Sequence, residues 1–200
     1  MNCKLRDRVR PPVRVLFVGI NPGIRSAATG HHFAGYSNRF WRLLYESGLV
    51  PEPIRTEDDG RLPEWGFGIT NLVPRATPGI DTLGAEEYVA GLRLLRRKVR
   101  RWKPEVVALV GVTLYRAIYG KRRPTPFSPA VPAKSSGSPT MSLRGGAERP
   151  RRPTPFLGLQ AERFEGADVF VLPNPSGRNA NFSYDEMLTA YRALAAHLSS

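Results

Sequence analysis

The stretch Val15-Leu16-Phe17-Val18-Gly19-Ile20-Asn21-Pro22-Gly23 decides how the chain is read. Its first half belongs to the apolar run VRVLFVG over residues 13–19, interrupted by one arginine. Such a run, without polar alternation, suits a strand of a parallel sheet buried on both faces. The second half stops on glycine, asparagine, proline and glycine. A turn of that composition shapes the backbone and leaves one polar side chain, the Asn21 amide, at its tip.

Working outward, GFGIT (66–70), VVALVG (106–111) and DVFVLP (168–173) read as further strands. NRFWRLLYESG (38–48) reads as a helix with Phe40, Leu43, Leu44 and Trp41 on its apolar face, Asn38 capping its start and Gly48 at its end. Residues 49–65, rich in proline and acids, read as a loop. Residues 85–102 predict a long amphipathic helix with Tyr88, Leu92, Leu95 and Val99 inward, and Arg93, Arg96, Arg97, Lys98, Arg100 and Arg101 outward. Another helix runs through Tyr115 to Tyr119. A last one over 183–198 is built on Met187, Leu188, Tyr191 and Leu194. Strands alternating with helices predict an α/β fold, a three-layer α/β/α arrangement with a short, mainly parallel central sheet. Ligands in such sheets bind at the carboxyl ends of the strands. GINPG (19–23) and NPSG (174–177) both end strands, so both are expected on one edge.

At 200 residues and 41% hydrophobic, the chain is expected to form a single domain over 1–200 with a real core. No apolar run approaches the ~20 residues that cross a bilayer. The start, MNCKLRDRVRPP, lacks the apolar middle of a secretory signal. The expectation is a cytoplasmic monomer away from membranes. One cysteine, Cys3, excludes an intramolecular disulfide, a thiolate zinc site and an iron–sulfur cluster. His31, His32 and His197 are too few and too scattered for a metal site, so neither metal nor cofactor is expected. The net charge of +13 favours a polyanionic partner, because phosphate contacts release counterions. An arginine-rich coding bias is the plainer explanation of the same excess.

RRPTPF occurs at Arg122–Phe127 and again at Arg151–Phe156. The segment between is rich in proline, serine and glycine, and 121–153 reads as a low-complexity basic insertion in a surface loop. Eight Lys/Arg against one Asp/Glu give it +7 of the +13.

GINPG is not succeeded by Gly-Lys-Ser/Thr, so it is not a Walker loop, and it lacks GxGxxG. The residues on its C-terminal side are more specific. Gly19 to Leu49, GINPGIRSAATGHHFAGYSNRFWRLLYESGL, resembles the mismatch-specific uracil-DNA glycosylase / thymine-DNA glycosylase family. The likeness rests on the GINPG turn, the Thr29/Gly30 pair, the His31-His32-Phe33 tripeptide and the NRFW helix start. GFGITNLVPRATPG (66–79) and VLPNPSGRNANF (171–182) resemble its second strand and DNA-insertion loop. The likeness covers nearly the whole chain outside 124–152 and the first dozen residues.

The resemblance implies removal of a mispaired or damaged pyrimidine from double-stranded DNA, by swinging the base into a pocket and hydrolysing its N-glycosidic bond. It implies a bacterial enzyme working on nucleoid DNA. Asn21 corresponds to the water-positioning asparagine; an amide orients water but is no general base. Gly19 and Ile20 would line the base pocket with backbone donors. Phe33 corresponds to the aromatic that stacks on the flipped base, and is otherwise an ordinary core phenylalanine. His32 would reach the base 5-position or a phosphate, or else is a solvated loop histidine. Asn71 matches the thymine-type branch and would pair with the pyrimidine edge; the alternative is a turn asparagine. Asn174, Ser176, Gly177 and Arg178 correspond to the loop that enters the duplex, with Arg178 as the wedge where bacterial relatives carry leucine. Read alone, that loop is a turn with a basic tip. Asp81 and Glu86 are candidate carboxylates near the pocket, though acids at a helix start need no such role. Two other classes stay open: a catalytically inactive nucleic-acid-binding module, and a nucleotide-binding protein using GINPG for phosphate.

Overall fold

The structure, a computed structural model, describes residues 5–120 and 157–200. Cys3 and the predicted insertion over 121–153 lie outside the described residues.

Strand β1, Val15–Gly19, is buried along its whole length, as an unbroken apolar run requires. It belongs to a five-stranded sheet ordered β2-β1-β3-β5-β4. Its parallel neighbours are β2 (Phe67–Asn71) and β3 (Val106–Val110). β3 pairs in parallel with β5 (Ala167–Leu172), and β5 pairs antiparallel with the edge strand β4 (Gly158–Phe164). Alternate side chains leave the sheet on opposite faces. Phe17, Phe67, Ala108 and Phe170 pack under α2 (Phe40–Glu46) and α5 (Tyr184–Leu198). Leu16, Val18, Leu109 and Val171 pack under α3 (Ala85–Trp102) and α4 (Val112–Tyr119). The result is the expected three-layer α/β/α arrangement with a mainly parallel sheet.

Several expectations need correction. A six-residue helix, α1 (Ile24–Thr29), comes directly after GINPG without a side-chain cap, so no capping signal announced it. The expected loop over 49–65 contains a 3₁₀ helix at Thr56–Trp65, which has no 3.6-residue period to betray it. The second strand runs one residue further than GFGIT, making Asn71 its last residue. Gly158–Phe164 is a further strand, absent from those read in the sequence. The 38–48 helix shortens to Phe40–Glu46, and the Asn38 carboxamide accepts from the Phe40 N–H at 3.0 Å.

Helix α3 occupies its predicted span, with Leu95 and Val99 buried and Tyr88 and Leu92 half-buried. Lys98 does not join the outer arginines. Its ammonium reaches Asp7 at 2.8 Å and the Thr70 hydroxyl at 2.7 Å, tying the N-terminal segment to β2. Gly91 lets α3 approach β2's exit: a Cβ there would lie 2.5 Å from the Leu72 carbonyl oxygen. Gly91→Ala should therefore destabilise the protein by about 2 kcal/mol and lower Tm by roughly 4–8 °C, despite alanine's better helix propensity. Thermal unfolding of the variant checks this.

Candidate active site

The carboxyl ends of β1, β2, β3 and β5 share one edge of the sheet. The chain leaves β1 for β2 on one side, and β3 lies on the other. A crevice is expected at such a switch point, and a cavity of about 780 Å³ opens there. Gly19, Ile20 and Asn21 line it from the β1 turn, and Asn71 from the end of β2. His32 and Phe33 line it from the segment after α1. Asn174, Ser176 and Arg178 line it from the loop after β5. Gly177, in that same loop, packs against Ser37 instead. The two predicted turns thus meet across one cavity. Asp81 also lines it, whereas Glu86 does not.

Three backbone bonds clip the β1 turn to the loop after β2. Leu72 N–H donates to Gly19 O at 2.8 Å, Val73 N–H to Ile20 O at 2.8 Å, and Thr77 N–H to Pro22 O at 3.1 Å. The Asn21 amide nitrogen donates to Thr77 Oγ1 at 2.6 Å, Pro22 O at 3.1 Å and Arg75 O at 3.3 Å. Two of these partners are carbonyls that can only accept. The Thr77 hydroxyl directs its one proton to Gly79 O at 2.5 Å, so toward Asn21 it too must accept. The amide orientation comes from chemistry: NH₂ faces the loop, and Oδ1 is left without a protein partner among the described residues. A bare amide oxygen on a cavity wall accepts a proton from water and so fixes the direction of the water's lone pair. Sequence reading missed Thr77, although it lies within GFGITNLVPRATPG.

His32 is 2% exposed, so it is not a solvated loop histidine. Its Nε2 lies 2.9 Å from the Arg6 carbonyl, which only accepts, so Nε2 carries the proton. Nδ1 is then bare and accepts from Asn71 Nδ2 at 3.5 Å. That turns the Asn71 carboxamide oxygen toward Gly19, where an added Cβ would lie 2.7 Å from it. A glycine at 19 is needed to leave this space open. Burial lowers the His32 pKa from its ordinary 6.5. Below that depressed value Nδ1 gains a proton and meets the Asn71 NH₂ donor to donor. The neutral form is favoured by folding, so stability is lost as pH falls from about 6.5 through the folded value. KM for a ligand that Asn71 contacts should rise as pH falls through that depressed folded value, where Asn71 loses its orientation, and Asn71→Ala should flatten that rise; pH profiles of KM for both proteins check it.

Phe33 holds a left-handed backbone conformation, φ 51°, unusual for a phenylalanine. Its ring stacks on Phe40, centroids 4.2 Å apart at 26°. Asp59, 1% exposed, holds the turn in place. It accepts from the His32 N–H at 3.0 Å, the Arg8 guanidinium at 3.1 Å and His31 Nδ1 at 3.1 Å. No periodic pattern marked Asp59 in the acidic stretch where it sits.

In the loop after β5, Asn174 Oδ1 accepts from the Ser176 N–H at 3.0 Å, and Ser176 Oγ from the Arg178 N–H at 3.3 Å. Arg39 N–H donates to Pro175 O at 2.9 Å, seating the loop on α2. The Arg178 side chain has no hydrogen-bond or ion-pair partner among the described residues. A hydrogen-bonded loop thus carries on the cavity wall a cation without a partner among the described residues.

Among the described residues no group of three or more His, Cys, Asp or Glu is placed to hold a metal ion. No described helix is long and apolar enough to cross a membrane. The model of one protein family, described as the uracil DNA glycosylase superfamily, matches residues 7–195.

Proposed function

We propose that this chain, which belongs to the uracil DNA glycosylase superfamily, is of the mismatch-specific uracil/thymine type. Members of the superfamily are DNA glycosylases, hydrolases of the bond between base and sugar. The proposed substrate is uracil mispaired with guanine in double-stranded DNA, with thymine and other substituted pyrimidines cut more slowly. The enzyme acts as a monomer.

One observation carries the reading: an amide with a bare oxygen and a guanidinium without a partner line the same cavity. The flipped pyrimidine stacks on Phe33, and its edge meets the Asn71 amide. Water held by Asn21 Oδ1 adds its oxygen to C1′ as the C1′–N1 bond breaks. The base departs with the bonding pair as an anion, met by main-chain N–H groups of the Gly19–Gly23 turn. The water's proton passes to solvent, since an amide cannot take it. Catalysis of this kind leans on leaving-group quality, which favours uracil over thymine. Arg178, held by the Asn174–Ser176 turn, fills the place vacated in the duplex and pairs with the orphaned guanine or a phosphate.

The test is a labelled duplex carrying one G·U pair, incubated with the protein and then with alkali. Strand scission at the uracil, faster than in an A·U duplex, is the expected result. A duplex left uncut overturns the reading.

A further inference from the structure

A second cavity, of about 420 Å³, lies beside the first. Arg25, Gly35, Tyr36 and Asn38 line both, so the two share a wall. Tyr36 on that wall is 90% exposed, and nothing in the core requires it. The Arg25 guanidinium stands 3.7 Å from the centre of its ring. Arg25 Nε donates to the Ala34 carbonyl at 2.7 Å, so the cation is itself held in place. The ring therefore has one face backed by a fixed cation and the other face open. Arg55 lines the same cavity, exposed; its main-chain N–H donates to Asp58 at 2.8 Å but its guanidinium has no carboxylate partner among the described residues, while Arg42 is taken up by Glu46. Glu57 is the carboxylate in the lining. An open aromatic face beside guanidinium groups that no carboxylate neutralises is what a single nucleotide needs: a ring to stack its base on and cations for its phosphate.

We infer that this second cavity is a subsite for an unpaired nucleotide neighbouring the flipped one, its base stacked on Tyr36 and its phosphate held by Arg25 and Arg55. The inference rests on the proposed function for the identity of the first cavity's occupant. A base still paired in the duplex shows only its edges, so it cannot cover the ring. The subsite therefore favours a second broken pair next to the first.

Binding to uracil-free duplexes tests this without catalysis. Three labelled duplexes are compared by fluorescence anisotropy at one salt concentration: fully paired, one C·A mispair, and two adjacent C·A mispairs. In the parent the second mispair should tighten binding about tenfold beyond the first. Tyr36→Ala should keep the gain from the first mispair and lose the gain from the second; Tyr36→Phe should keep both. A second gain that survives Tyr36→Ala, or that the parent lacks, overturns the inference, as does loss of both gains together. Since no base is excised here, failure to cut a G·U duplex would sink the proposed function and leave these three affinities readable.

Discussion

Asn21→Ala is expected to slow base excision about a thousandfold, roughly 4 kcal/mol of barrier, while duplex affinity changes little. The side chain gives its nitrogen to the protein; in the proposed mechanism its oxygen holds the water, and only that contact matters more in the transition state. The turn itself survives, because backbone bonds from Leu72, Val73 and Thr77 hold it. Thr77→Val removes the acceptor that orients the amide and should cost about tenfold, with Thr77→Ser close to the parent. Asn21→Asp should stay slower than the parent. It would place a second oxygen against Thr77 Oγ1, Pro22 O and Arg75 O, three groups that accept in this arrangement. Single-turnover rates on a G·U duplex, read beside affinity, separate these effects. A parent-like rate for Asn21→Ala would remove the asparagine from the mechanism.

Gly177→Ala should reduce kcat/KM about a hundredfold, close to 3 kcal/mol, with a much smaller change in Tm. A Cβ at 177 would lie 2.4 Å from Ser37 Cβ and 2.7 Å from the Ser37 carbonyl oxygen. Backbone cannot give way as a flexible side-chain tip can, so the loop must lift. Lifting it breaks the Arg39–Pro175 bond and carries Arg178 away from the cavity mouth. The loop contributes little to the core, which is why stability is mostly spared. Steady-state kinetics and thermal unfolding on the same preparation check the split. Arg178→Ala should show the kinetic loss alone.

The four parallel strands were legible because burial on both faces leaves near-continuous runs of valine, leucine, isoleucine and phenylalanine. α3 was legible at both ends because eighteen residues give its periodicity room to show. Short or edge elements were not. α1 has six residues and no side-chain cap, and β4 mixes Gln160, Glu162 and Arg163 into a strand at the sheet edge. In the site, the turn residues Gly19, Asn21 and Arg178 could be picked from composition and resemblance, since each sits at a chain reversal. Thr77 acts through the Asn21 side chain and Asp59 through the His32 main-chain N–H, across 56 and 27 residues of chain. Nothing local distinguishes them from an ordinary loop threonine and an ordinary surface acid. His32 failed as a solvated histidine for a related reason: its burial comes from the segment around Arg6, which no pattern had placed over it.

That covering segment is joined to the pocket through Asp59, which holds Arg8 with one oxygen and the His32 amide with the other, while Arg8 also bridges to Ile69 in β2. The outer strap and the His32 turn are therefore expected to open as one unit in native-state amide exchange. The amides of Arg8, His32 and Ile69 should trade deuterium at a common free energy, and trimming the chain to Val9 should lower all of the remaining ones together. A change near Arg8 would then be felt as a loosening of the cavity wall that His32 and Phe33 form.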